Sequence, residues 1–163
     1  MALIGIITVS DRSSRGERKD LSAPEIAGWA GKNGHTVGYS IIVPDEKEKI
    51  KEALIDLVDN KKMELVLTTG GTGFAPRDVT PEATLDVIER MAPGFSETMR
   101  ARSLEITPHA MLSRAVSGIR NNCLIINLPG SPKAVRENLG FIERGIPHAI
   151  ELLAGGVADC GKP

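Results

Sequence analysis

Four groups of residues in this chain are of types that handle an anion. The densest is Thr68-Thr69-Gly70-Gly71-Thr72-Gly73, which follows the apolar run Leu65-Val66-Leu67 and leads into Arg77-Asp78 and a helix-start signal at Thr80-Pro81-Glu82. Backbone N–H groups of small residues and a helix N-terminus attract phosphate. No Gly-Lys-Ser/Thr closes the loop and the glycine spacing is not that of the dinucleotide fingerprint, so neither common phosphate motif is present. The other groups are Ser10-Asp11, Asp45 and Asn127-Leu128-Pro129-Gly130-Ser131. Carboxylates beside glycine loops suit Mg²⁺-assisted handling of phosphates, in which the metal offsets polyphosphate charge and stabilises a displacement transition state.

Every one of these residues also has a reading in which it only shapes the backbone. The glycines can serve turn geometry alone. Asp45 and Glu48 have capping-box spacing, so Asp45 can be an N-cap worth about 1 kcal/mol. Asp78 can simply pair with Arg77, Asp11 can cap the first loop, and Asn127 and Ser131 can be turn and cap residues. Ser103 and Ser113 carry no signal on composition alone.

The elements that would position these groups follow from the apolar pattern. Leu3–Val9 is a continuous β-branched run, as expected for a strand buried on both faces. Ser22 and Glu25 have capping-box spacing for a helix to about Gly31, and His35–Val43 reads as a second strand. Ile50, Ala53, Leu54, Leu57 and Val58 form an amphipathic stripe on the next helix. After the glycine-loop strand, a helix is expected from Thr80 to near Met91, and another over Phe95–Leu104. Ser113–Ile119 and Cys123–Asn127 read as strands joined by a tight turn at Asn121-Asn122. Ser131 is an N-cap candidate with Pro132 at the first helical position, and Gly145 and Pro147 should kink or split the closing helix. The tail from about 155 is expected to fray. Alternating strands and helices predict one three-layer α/β/α domain over residues 1–163, with a mostly parallel sheet and a small β-hairpin. Ligands of such sheets bind beyond the carboxyl ends of the strands, and all four groups lie at such ends.

Composition narrows the function classes. The chain has 163 residues, 41% of them hydrophobic and 25% charged, and a formal net charge of -1. That charge argues against a general nucleic-acid binder. The two cysteines, Cys123 and Cys160, form no paired motif and fit a reducing cytoplasm. The three scattered histidines give no readable zinc site. The apolar start is too short for a membrane span and lacks a basic leader, so no membrane association is expected.

Read together, the segments resemble the molybdenum-cofactor biosynthesis family that binds molybdopterin, in particular its small single-domain adenylyltransferases. The resemblance rests on residues 68–83 (Thr68 through Pro81-Glu82-Ala83), Val9-Ser10-Asp11-Arg12, Val43-Pro44-Asp45-Glu46, Met111-Leu112-Ser113-Arg114 and the Asn127–Pro132 turn. It implies ATP, Mg²⁺ and molybdopterin as reactants, with adenylylated molybdopterin and pyrophosphate as products. It implies catalytic, Mg²⁺-associated roles for Asp45 and Asp78. Thr72, Ser103, Ser113, Arg120 and Asn127 match pterin-binding positions. Gly70, Gly71, Gly73, Ser10, Asp11, Gly130 and Ser131 match phosphate- or nucleotide-side positions. A cytoplasmic homotrimer and hand-over of the product to a molybdenum-insertion protein are further expectations. A non-catalytic pterin-binding or assembly protein of the same fold is the alternative.

Overall fold

The computed structural model describes residues 1–156, so the expected fraying beyond about 155 and Cys160 lie largely or wholly outside the described residues. A six-stranded sheet runs through the molecule in the order β2-β1-β3-β6-β5-β4. Its strands are β1 (Leu3–Val9), β2 (Thr36–Val43), β3 (Leu65–Thr69), β4 (Arg90–Met91), β5 (Ser117–Arg120) and β6 (Cys123–Leu128). The first four in spatial order are mutually parallel, while β5 and β4 are antiparallel additions at one edge. The helices are α1 (Asp11–Ser14), α2 (Ser22–Lys32), α3 (Lys47–Ile55), α4 (Thr80–Val87), α5 (Pro93–Leu104), α6 (Pro132–Ile142) and α7 (Ile146–Leu153). Among the described residues no helix is long and apolar enough to cross a membrane.

The apolar runs put side chains on alternate faces of the sheet, and both faces are covered. Ile4, Ile6, Leu65, Leu67, Leu124 and Ile126 pack against α2, α5, α6 and α7. Ile7, Val9, Val66 and Ile125 pack against Ile50 and Leu54 of α3 and Ala83 and Val87 of α4. The expected three-layer arrangement is therefore observed, and the parallel strands bring the ends of β1, β2, β3 and β6 to one rim.

Several local expectations change. Ser22 does not cap α2: Asp20 Oδ1 accepts from the amides of Ser22 and Ala23, at 2.9 and 3.1 Å, while Ser22 Oγ donates to the Gly130 carbonyl at 2.8 Å. Asp45 does not cap α3 either; Glu46 occupies that position and makes no side-chain cap bond. The last turn of α3 widens into a π turn over Asp56–Asn60. Helix α4 stops at Val87, because Arg90–Met91 leave it to pair with β5. Residues 113–116 are not strand. A 3₁₀ turn, Pro108–Leu112, precedes them, and the hairpin proper runs from Ser117, with Asn121 in its turn at φ 50°. Ser131 does cap α6, accepting from the Ala134 amide at 3.2 Å, and the closing helix does split at Gly145.

Candidate active site

The glycine loop leaves β3 by squeezing between its neighbours. Gly70 has φ +97°, and a Cβ there would run into the Val9 carbonyl oxygen. On its other side a Cβ on Gly130 would stand 3.4 Å from the Gly70 Cα, so the two strand-to-helix turns touch. Hydroxyls fix this junction: Thr69 Oγ1 donates to the Pro129 carbonyl at 2.7 Å and Thr80 Oγ1 to the Gly70 carbonyl at 2.9 Å.

Two carboxylates face the positions where the next glycines lack side chains. Asp45 Oδ1 lies 3.2 Å from where a Gly71 Cβ would be, and Asp78 Oδ2 lies 2.9 Å from where a Gly73 Cβ would be. Asp45 is held by a reciprocal exchange with Asp11. The Asp11 amide donates to Asp45 Oδ2 at 2.7 Å, and the Asp45 amide to Asp11 Oδ1 at 3.0 Å. Arg77 forks onto Asp11 at 2.5 and 2.9 Å, and Asp78 Oδ2 accepts from the Ala75 amide at 2.9 Å. Asp78 therefore does not pair with Arg77, although the two are adjacent.

The electrostatics differ between the neighbours. The hydrogen-bonded Arg77 guanidinium holds the Asp11 carboxyl below the usual carboxylate range. Burial pushes the Asp45 carboxyl up, and the charges of Asp11 and Asp78 add to that push. No helix N-terminus offsets this push, since Glu46 and not Asp45 is at the cap.

Two clefts flank the Pro129–Gly130 turn. One, of about 270 Å³, is lined by Ser10, Gly70, Gly130 and Ser131 together with Arg18 and Lys19. The other, of about 210 Å³, is mainly apolar and lies between α5, the 107–115 segment and α6. Its polar groups include Arg100, Ser103, Thr107, His109 and Ser113. A larger hollow, of about 510 Å³, beside Phe95 and Phe141 has no ionisable side chain and offers no chemistry.

Ser10, Asp45, Gly70, Gly71, Thr72, Gly73, Asp78, Gly130 and Ser131 are thus all carried on rim loops and Asp11 opens the short helix α1 beside them, with Thr72 buried between its glycines. Ser103 and Ser113 are together in the apolar cleft. Asn127 reaches that cleft, but its amide turns to the other face of the sheet. There it donates to Thr68 Oγ1 and Thr84 Oγ1, at 3.0 and 2.9 Å, and accepts from the Val116 amide at 3.2 Å. Arg120 is not brought to the rim. It pairs with Cys123 at the opposite end of the hairpin, its guanidinium on Asp59 at 3.1 and 2.6 Å and on the Val87 carbonyl at 3.1 Å. Arg18, Lys19, Arg100 and Arg114 were not among the expected site residues; only Arg114 had a sequence signal, as the last residue of the 111–114 motif.

A site of this form now has relatives to be set beside. Residues 5–147 match the family described as "Probable molybdopterin binding domain". The chain belongs to that family. It is 46% identical over 155 residues to the molybdopterin adenylyltransferase of Helicobacter pylori strain J99, covering 93% of this chain and 88% of the relative. It is 47% identical over 161 residues to gephyrin of Dictyostelium discoideum, where it spans 22% of the relative's length and 93% of its own. Among solved structures, the molybdopterin biosynthesis enzyme MoaB of Thermus thermophilus superposes with a TM-score of 0.90 at 46% identity. That superposition covers 95% of this chain and 98% of MoaB.

Proposed function

We propose that this protein is a nucleotidyltransferase of molybdenum-cofactor biosynthesis, a molybdopterin adenylyltransferase. The terminal phosphate of molybdopterin attacks the α-phosphorus of ATP, a new P–O bond forms, and the bond to pyrophosphate breaks. The observation that carries the reading is the meeting of two unlike clefts at the Pro129–Gly130 turn, which packs on the glycine loop whose Gly71 and Gly73 face Asp45 and Asp78. The apolar cleft with Ser103 and Ser113 suits a flat heterocycle with polar edges. The cleft with Arg18, Lys19 and the glycine turns suits phosphate.

The chemistry needs no nucleophile from the protein, because the substrate brings its own. What the chain contributes is positioning and charge. Gly70, Gly71 and Gly73 let the loop turn tightly against Val9, Thr80 and Asp78, and Ser10, Ser131 and the two cations hold the polyphosphate. Asp11, fixed by Arg77, orients Asp45 through the reciprocal amide contacts.

The residues fit Mg²⁺. The hard carboxylate oxygens of Asp45 and Asp78 face Gly71 and Gly73 of the same loop, and the like charges of Asp11 and Asp78 around the half-buried Asp45 favour a cation there. Among the described residues no group of three or more His, Cys, Asp or Glu could hold an ion alone. When bound, Mg²⁺ would neutralise charge on the phosphates and on the departing pyrophosphate. The family resemblance supports a cytoplasmic homotrimer that passes its product to a molybdenum-insertion protein.

The test is incubation of purified protein with molybdopterin and Mg-ATP, followed by chromatography of the pterin and an assay for pyrophosphate. The expected result is adenylylated pterin and pyrophosphate in equal amounts. Pterin binding without either product would favour a non-catalytic binding protein.

A further inference from the structure

The segment that carries Asp78 is an exposed excursion, and one side chain closes it. Phe74, Ala75, Pro76 and Arg77 are all exposed at its tip. Within the turn the bonds are local, the Asp78 amide to the Ala75 carbonyl at 2.8 Å and the Ala75 amide to the Asp78 carboxylate at 2.9 Å. The exposed Arg77 fork on Asp11, at 2.5 and 2.9 Å, ties its tip, which leaves its two ends to be placed.

Arg114 supplies the place. Its amide donates to the Thr72 carbonyl at 2.8 Å, and its Nε to the Gly73 carbonyl at 2.7 Å. Its Nη2 donates to the Asp78 carbonyl at 2.5 Å, and its Nη1 to Glu82 Oε1 in the first turn of α4. The excursion is thus gripped where it leaves and where it returns, by one rigid planar fork. A lysine cannot reproduce this, since its ammonium is a point charge on a flexible stem. Glu82 orients the fork, and its Oε2 is buried with no partner of its own. Burial is the largest influence on the Glu82 carboxyl and raises it, but the Arg114 hydrogen bond, a backbone hydrogen bond and the charges of Arg114 and Lys47 together outweigh it, and the carboxyl sits low. The segment bearing Arg114 is itself anchored from α5, where Arg100 Nη1 donates to the Ala115 carbonyl at 2.7 Å.

We infer that Arg114 is a positioning residue for the reaction. It ties the wall of the apolar cleft, through Ser113 beside it, to the loop that aims the Asp78 carboxylate. The inference rests on the role of Asp78 proposed above.

The test compares full-length wild type, Arg114→Lys, Asp78→Asn and the double variant in two readouts. These are adenylylation kinetics and amide hydrogen exchange across residues 72–78. Arg114→Lys is expected to lower kcat by about tenfold to a hundredfold, as for a misplaced catalytic group, with KM for the pterin changed less than about threefold. Exchange should rise roughly tenfold in 72–78 and stay unchanged in the sheet. The double variant should be no slower than Asp78→Asn alone, because Arg114 acts through Asp78. Wild-type loop exchange and turnover in Arg114→Lys, or additive losses in the double variant, would overturn the inference. Wild-type turnover in Asp78→Asn would instead overturn the role of Asp78, and the inference with it. Should Arg114→Lys fail to fold, Glu82→Gln carries the test, because it keeps the three backbone acceptors and should show the same pattern at smaller amplitude.

Discussion

At the end of the sheet where β1, β3 and β6 finish, Arg77 forks onto Asp11; at the other end, Arg120 forks onto Asp59. The pairs are alike in geometry, yet their surroundings are not. Beside Asp59 stand Asn121, which donates to it at 2.9 Å, and Cys123, whose thiol burial pushes up to about 12. The charge there is matched and the thiol is buried and held protonated, so the contacts of that end serve the hairpin. Asp11 exchanges amide contacts with Asp45, and Asp45 and Asp78 both face glycines of the loop and, among the described residues, form no ion pair. An ion pair is thus no mark of a site. Carboxylates left unpaired beside backbone that a ligand can approach are one.

That contrast can be broken most sharply at Asp45. Asp45→Asn should lower adenylylation by about a hundredfold, on the scale of losing one electrostatic contact to a transition state. It should not lower the melting temperature at pH 7, because Asp45 caps no helix and an Asn oxygen still accepts from the Asp11 amide. A large loss of stability with normal turnover would return Asp45 to a structural role.

A smaller effect separates the two ends by pH. The Arg120 hydrogen bonds depress the Asp59 carboxyl, so its contribution is full above the unfolded value and fades as pH falls through the folded one. Asp59→Asn should therefore lower the melting temperature at pH 7 by about 2–4 °C, and the deficit should vanish in acid. Asp45 has the opposite sign. Its carboxyl is raised, so its charge is a burden to the fold at pH 7 that lifts as the folded state takes up a proton on acidification. Any stability that Asp45→Asn gains at pH 7 should shrink over that same fall in pH. Melting curves of both variants from neutral pH down to about pH 2 check the two signs.

Much of this was legible in the sequence, where the signal is local. The apolar runs of β1, β3 and β6, the Asn121-Asn122 turn, the Ser131 cap and the glycine loop all declare themselves within a few residues. What was not legible is set by contacts between distant segments. Asp45 has the spacing of an N-cap, but its carboxylate goes to an amide 34 residues away. The two residues of β4 are too few to show a period, and pairing with β5 alone makes them strand. Arg120 matches a pterin position in the family pattern, yet hairpin register carries it to the far end. Arg114 grips three carbonyl oxygens, which every residue has, and its one acidic partner, Glu82, is 32 residues away, so no local spacing announces it.

The most direct test of the central claim sets the two ends against each other in one assay. Single-turnover formation of adenylylated pterin is measured for Asp78→Asn and Arg120→Gln, with pterin affinity determined on the same preparations. The rim is expected to lose activity by at least about a hundredfold with pterin still bound, while the far end stays within roughly twofold of wild type. Equal losses in the two variants, or a larger loss for Arg120→Gln, would contradict placing the chemistry at the glycine-loop rim.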